Sequence, residues 1–479
     1  MKNITIRDIV KMTGGTLICM NEQEDEGEVA ERSVSDLCVD TRVIGEGDLF
    51  VALPGENTDG HRFVPKAMET AAAAVVDRKP EEIYTSQESL ENAKKRGDVL
   101  ILVEDTSAAH LAIGAGIRMQ YERAVISVTG SVGKTTTRRM ISTALGSSRE
   151  VYETPKNFNS WIGVPIATSR MLDEPSEVAV LELGIDRIGE MDRLRSVVRP
   201  EIAVVTMIGT CHMEYFGSQE KIREQKLRCA TQDTVLFLNA DDPMLWEMKG
   251  KTGTRETWYY GFRDEADYRA ENAELTGDGA HFTYCHRETR VPVELPVAGR
   301  HNVLNATVAM AICDYLGLDL TAAAKALADF VPMRQINRQM TSGTRVIDDV
   351  YNASPDSMKA LLDVLSESEV TGKRWAVLGD MFELGSNELE RHAEVGDFFA
   401  GKKVDCLVTV GTMAKTLGEH AANALSGLQY RAFDTNAEAV SFLKENLAPE
   451  DMVVVKASHG MHFDEIVEGL VPGSHPTEA

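Results

Sequence analysis

Val125-Ile126-Ser127-Val128-Thr129-Gly130-Ser131-Val132-Gly133-Lys134-Thr135-Thr136-Thr137 is a largely apolar, β-branched run that empties into a Gly-Lys-Thr turn. The run has strand character, and the residues after the turn read as a helix from Lys134 to Leu145. A turn of this kind points backbone N–H groups at one spot, where the helix dipole also favours negative charge. Gly130, Ser131, Val132, Gly133, Lys134, Thr135 and Thr136 are therefore the candidate phosphate-binding residues. Lys134 is long enough to reach a terminal phosphate, and Thr135 stands where such loops bind Mg²⁺. The strict G-x-x-x-x-G-K-T spacing is not met, because Val128 occupies its first glycine. A chance glycine turn is the competing reading, but the strand before it and the helix after it favour phosphate.

Around this unit the pattern is regular. A helix near Ala108 to Met119 and the strand Ala124 to Val128 precede it, and β-type runs follow at Val178–Leu183, Ile202–Thr206 and Thr234–Leu238. Intervening helical sequence implies a mostly parallel sheet, with its site at the strands' C-terminal ends. Gly261 to Gly299 reads as an antiparallel excursion before the helix His301–Leu316. A hinge is expected at Val331-Pro332-Met333. Beyond it, strands Val346–Asp349, Trp375–Leu378, Cys406–Val410 and Met452–Lys456 alternate with helices, as in a Rossmann-like open α/β sheet. The first hundred residues, with the strand Asp48–Leu53 and an amphipathic stretch from Phe63 to Ala73, form a small α/β unit. A chain of 479 residues exceeds one core, and the expected division is 1–104, 105–332 and 333–479, with a frayed tail over 472–479.

Fifty Lys and Arg against 75 Asp and Glu give a net charge of −25, which excludes nucleic acid and anionic lipid as main partners. Such a chain must gather positive charge locally to handle phosphates. Seven scattered cysteines without a C-x-x-C pair exclude a disulfide framework or zinc knuckle. No stretch approaches the about 18 apolar residues of a membrane span, and the N-terminus lacks a signal-peptide core. A cytoplasmic monomer is expected.

A magnesium nucleotide needs further ligands at neighbouring strand ends. Glu182 ends the apolar run Ala179-Val180-Leu181, so it reads equally as a buried ligand or as a solvated carboxylate capping a helix that begins near Ile188. His212 follows the strand Ile202–Thr206, although lone histidines are more often structural. Lys226, taken alone, is an ordinary surface lysine of a helix.

Collectively the chain resembles the Mur ligases over essentially its whole length. The resemblance is carried by Thr129–Thr136, by Asn157-Phe158-Asn159-Ser160-Trp161-Ile162-Gly163-Val164-Pro165, by Glu182-Leu183-Gly184 and by His212-Met213-Glu214-Tyr215-Phe216-Gly217-Ser218. Gly299-Arg300-His301-Asn302-Val303-Leu304-Asn305 is similar to the family's adenine-contacting helix start. Asp348–Met358 and Leu378–Gly385 resemble signatures of members that add D-alanyl-D-alanine to UDP-N-acetylmuramoyl-tripeptide, and the D-N-P-R motif of the diaminopimelate- or lysine-adding members is absent. Asp40-Thr41-Arg42 and Gly47–His61 are similar to the segment that holds the UDP-sugar, with Thr41 in place of the usual serine.

The resemblance implies an ATP-dependent amide ligase of peptidoglycan precursor synthesis, working through an acyl phosphate. It implies that Thr135, Glu182 and His212 surround Mg²⁺ and that a carbamylated Lys226 helps position it. Lys134, Glu182, His212 and Lys226 would be catalytic. Asn302, Asn305, Arg334 and Asp349 would join the loop in binding ATP, while Thr41, Arg42, Asn157, Asn159, Asn352 and His459 would bind substrate. Departures from the common pattern stand at Ser160, Cys211, Arg223, Gln225 and His459, the last in place of a frequent arginine. Two rivals remain: a folate polyglutamate or cyanophycin type ligase, and a non-catalytic nucleotide-binding paralogue.

Overall fold

The computed structural model describes residues 1–55, 58–276 and 279–475. Glu56 and Asn57 of the UDP-sugar segment and residues 476–479 of the tail lie outside the described residues. The chain is a three-domain α/β protein with one sheet per domain. The first sheet contains β1 (Thr16–Cys19), β2 (Leu37–Cys38), β3 (Leu49–Val51), β4 (Ala73–Val76) and β5 (Val99–Leu102), in the order β1-β5-β4-β3-β2 with only β1 antiparallel. The amphipathic stretch from Phe63 is a shorter helix than expected, ending at Ala67. Ala73–Val76 instead pair with β3 and β5, because fully buried strand pairing outweighs the helix preference of alanine.

The central sheet contains β6 (Ala124–Thr129), β7 (Val151–Glu153), β8 (Val178–Glu182), β9 (Ile202–Val205), β10 (Val235–Asn239), β11 (Glu256–Gly261), β12 (Tyr268–Leu275), β13 (Ala280–His286) and β14 (Thr289–Leu295). Its order is β14-β13-β12-β11-β10-β9-β6-β8-β7. Alternation along β6 sends Ile126 and Val128 to one core, with the helices Lys134–Gly146 and Arg300–Tyr315, and Val125 to the other. The chain leaves β6 toward β8 on one side and later returns as β9 on the other. The C-terminal end of β6 is therefore the switch point where such sheets bind ligands. The expected antiparallel excursion is the meander β12-β13-β14, continuous with this sheet. Among the described residues β14 pairs on one side only; its exposed face carries Arg290, Pro292 and Glu294.

The third sheet contains β15 (Ile336–Gln339), β16 (Arg345–Asp348), β17 (Arg374–Gly379), β18 (Cys406–Val410), β19 (Gln429–Phe433) and β20 (Met452–Lys456), in the order β15-β16-β20-β17-β18-β19. All its pairs are parallel except β15 with β16. The start of the expected frayed tail is docked rather than loose. Glu468 accepts the N–H groups of Gly473 and His475, and the His475 ring lies 2.8 Å from the buried Asp348.

The helix Thr106–Arg118, capped by Asp105, joins the first two cores. Ala109, Ile113 and Ile117 pack into the first, while Leu111 and Ala115 pack on the second. Close approach to the helix Gly163–Ser169 requires Gly114, whose Cβ would lie 2.7 Å from Pro165 Cα. Buried His110 donates from Nε2 across the same seam to the Ile162 carbonyl, 2.8 Å away.

Candidate active site

The loop after β6 is stitched to the loop after β9. Ser131 N–H donates to Met207 O at 2.9 Å, and Thr206 Oγ1 donates to Val132 O at 2.5 Å. The approach leaves no room for a side chain at Gly130, where φ is 149° and a Cβ would lie 1.9 Å from Thr206 Oγ1. Gly133, at φ 85°, begins the helix Lys134–Gly146 without a capping side chain, so the first-turn amides remain for an anion. Lys134 folds over the loop, its Nζ donating to the carbonyls of Gly130 (3.0 Å) and Ser131 (3.2 Å).

Glu182, at the end of β8, is 1% exposed, which removes the solvated-cap reading; the helix that follows starts at Glu190 behind Gly189. Its Oε1 accepts from Asn159 Nδ2 at 2.7 Å and from Thr135 Oγ1 at 3.1 Å. Its Oε2 is buried with no hydrogen-bond partner among the described residues, 3.9 Å from the buried Arg138 Nε. Arg138, which sequence patterning did not single out, also bridges to Glu153 and the Thr154 carbonyl and so neutralises the pocket from behind.

The C-terminal domain supplies the opposite wall. Arg334 Nη2 donates to Thr135 Oγ1 at 3.2 Å and lies 3.9 Å over the Tyr351 ring, whose hydroxyl meets Asn157 Nδ2 at 3.2 Å. Asp349 is held by Lys456, with Nζ 2.6 Å from Oδ2. Asn302 and Asn305 bond to each other at 3.3 Å, and Asn305 accepts from Thr137 at 2.9 Å. Desolvation holds the neighbouring His301 below its usual pKa.

Two cavities result. One, of about 160 Å³, brings together Val132, Gly133, Thr135, Thr136, Asn302, Asn305, Arg334 and Asp349. The other, of about 250 Å³, brings together Ser131, Lys134, Asn159, Glu182, His212 and Asn352, and shares Thr135 and Arg334 with the first. His212 lies between two carboxylates: Nε2 is 3.1 Å from Asp186 Oδ1, and Nδ1 is 2.7 Å from Glu383 Oε2, a close approach without hydrogen-bond geometry at Nδ1.

Other expected residues stand apart. Thr41 and Arg42 line neither cavity, and Arg42 is 86% exposed and folded onto Asp40. Exposed His459 faces a separate cavity with Tyr351, the two rings 6.1 Å apart. Lys226 lines neither cavity and is not a surface lysine: it is 2% exposed, because its helix Gln219–Leu227 turns Ile222, Gln225 and Lys226 inward. Burial, and then the charge of Lys134, push its pKa down to about 7.

Among the described residues no three His, Cys, Asp or Glu side chains form a ready metal cluster. The Glu182 carboxylate, whose Oε1 meets the Thr135 hydroxyl while Oε2 stays without a hydrogen-bond partner among the described residues, offers with that hydroxyl hard oxygens suited to Mg²⁺, which keeps waters and phosphate oxygens for its remaining positions.

Residues 33–113 match the Mur ligase family catalytic domain, 128–313 the Mur ligase middle domain and 333–459 the Mur ligase glutamate ligase domain. The chain belongs to the Mur ligase family. Among Mur ligases it is 35% identical over 473 residues, 98% of each chain, to the UDP-N-acetylmuramoyl-tripeptide--D-alanyl-D-alanine ligase of Bacillus subtilis (strain 168). To the ligase of the same name from Escherichia coli (strain K12) it is 31% identical, over 92% of this chain and 94% of the other. A crystal structure of MurF from Acinetobacter baumannii is similar with a TM-score of 0.84 at 29% identity, covering 97% of this chain and 98% of that one.

Proposed function

We propose that this Mur ligase joins D-alanyl-D-alanine to UDP-N-acetylmuramoyl-tripeptide, with ATP converted to ADP and phosphate, in peptidoglycan precursor synthesis in the cytoplasm. The observation that carries this is the meeting in one cleft of the phosphate loop, Glu182 and Arg334, within a chain similar along its length to ligases of that name. A carboxylate is a poor electrophile, so the tripeptide's free carboxylate takes the γ-phosphoryl group first and becomes an acyl phosphate. Lys134 and the loop amides hold the phosphates as charge moves onto the leaving oxygen. The dipeptide amine then attacks the acyl carbon, and phosphate leaves as the amide forms.

Asn302, Asn305 and Asp349 line the cavity assigned to the nucleoside, and Arg334 closes the triphosphate end from the hinge. Asn159 and Asn352 face the acyl acceptor side, with Asn157 and His459 nearer the rim. Thr41 and Arg42 serve the UDP end in the N-terminal unit 1–104, with 105–332 binding ATP and 333–479 binding the dipeptide. Glu182 and Thr135 would hold Mg²⁺, with His212 joining them once one of its ring nitrogens leaves its carboxylate neighbour, and the ion would supply Lewis-acid stabilisation of phosphate charge. A Lys226 amine with its pKa lowered to about 7 is substantially neutral at physiological pH, the form that adds to CO₂ to give a carbamate anion. That conversion releases a proton to solvent and replaces a buried neutral amine with an anion near the metal side. The working unit is a monomer.

The test is incubation with ATP, UDP-tripeptide and one candidate amine at a time, reading phosphate release and the new amide. Product with D-alanyl-D-alanine is expected. Failure with that dipeptide and success with another amine would overturn the substrate assignment, and ATP binding without substrate-dependent phosphate release would favour a non-catalytic role.

A further inference from the structure

The loop from β9 to the helix Met213–Phe216 runs from the phosphate loop to His212. Its near end is fixed by its own domain: Met207 O accepts from Ser131, and Asp242 Oδ2 accepts the Ile208 N–H at 2.6 Å. Its far half is met by the C-terminal domain. Asp356, in the first turn of the helix Pro355–Glu367, accepts the Thr210 N–H through Oδ2 at a long 3.4 Å. The fit there is tight at Gly209, where a Cβ would lie 2.4 Å from that oxygen and 3.2 Å from Ser131 Cβ, so any larger residue would push the Asp356 carboxylate aside. Two residues further on, Glu383 Oε2 stands 2.7 Å from His212 Nδ1. Both members of that pair have left-handed backbones, φ 58° at His212 and 63° at Glu383, which residues with side chains rarely adopt. Gly385 continues the contact, its Cβ position 3.3 Å from Glu214 Cα.

We propose that Asp356 and Glu383 are positioning residues: the docked C-terminal domain uses them to set the path of residues 209–212, and so the place of His212 beside the phosphate loop. Asp356 acts through the backbone, since its target is an N–H that any residue would present and its carboxylate fits closely against Gly209. Glu383 acts on the imidazole by close charge contact at Nδ1, with Asp186 at Nε2. Neither residue needs to touch the reacting atoms. The consequence for rate rests on the ligase reading above, whereas the contact is a property of the fold alone.

Hydrogen exchange on the full chain, read over the amides of residues 207–216, separates the two. Asp356→Ala should lose protection at Thr210 while amides of β6 and β8 stay as in wild type. Asp356→Asn, which keeps an acceptor oxygen, should restore it. Glu383→Gln should raise exchange around His212 with the Thr210 amide less affected. In turnover, Asp356→Ala should lower kcat by roughly 10- to 100-fold, the scale of a misplaced active-site group, and should also raise KM for ATP because Asp356 lines the nucleotide cavity. Unchanged exchange at Thr210 in Asp356→Ala, or equal exchange in the Ala and Asn variants, would overturn the proposal. A wild-type protein without ligase activity would overturn the function and leave the exchange result to decide the clamp.

Discussion

Replacing Lys456 by Met tests the buried pair beneath the nucleotide cavity. Lys456 and Asp349 are 3% and 8% exposed, with Nζ and Oδ2 2.6 Å apart and a second bond from Nζ to the Asp349 carbonyl at 3.3 Å. Met matches the lysine stem in volume, so the change removes charge and hydrogen bonds with little loss of packing. It leaves a carboxylate buried without its cation, which costs about 3–5 kcal/mol, far more than loss of a surface pair. For a domain of this size that lowers the melting temperature of the C-terminal unit by roughly 6–20 °C. The double variant Lys456→Met/Asp349→Asn should recover a large part of the loss, because the orphaned charge has gone. Thermal and urea unfolding, followed by the fluorescence of Trp375 in the same sheet, measure both. A single variant as stable as wild type, or a double variant no better than the single, would refute this account of how Asp349 is held.

Lys134→Ala should abolish ligation while circular dichroism and melting stay near wild type; retained turnover would contradict the phosphoryl-transfer mechanism. Lys226→Ala should be inactive and partly rescued by short carboxylates such as acetate, so full activity without them would remove its role. Burial lowers the pKa of His110 from 6.5 to about 4, so below pH 6.5 the unfolded chain binds a proton that the folded one refuses. That stability is present above pH 6.5 and falls by about 3 kcal/mol as pH drops toward 4. His110→Gln should flatten this segment of the pH–stability curve, and an unchanged slope in urea titrations would show that His110 does not cause it.

What the sequence revealed divides by range. The phosphate loop was legible because strand, turn and helix are contiguous, and Glu182 was visible as an acid ending an apolar run. β10, β16, β17, β18 and β20 were near-continuous apolar segments and were found close to their bounds. β7, β11, β15 and β19 were not, being short or half exposed and shaped by their neighbours more than by their own composition. Lys226 looked superficial because Arg223, Glu224 and Gln225 flank it; its burial depends on how the helix packs, which local hydropathy does not encode. Arg138 hid on the polar-looking side of the helix after the loop. The approach of Asp356 to Gly209 joins segments far apart in the chain and left only an unexplained glycine as its local trace.

The unpaired side of β14 limits how this molecule meets its own copies. A nine-stranded sheet could serve as a hydrogen-bonding template for strands of another chain, the first step toward fibrous aggregation. On β14 the row of donors is broken at Pro292, which has no N–H to offer, and an incoming strand would also have to pass the charges of Arg290 and Glu294. Strand addition is discouraged at this border, which leaves β7 as the open edge of the nine-stranded sheet.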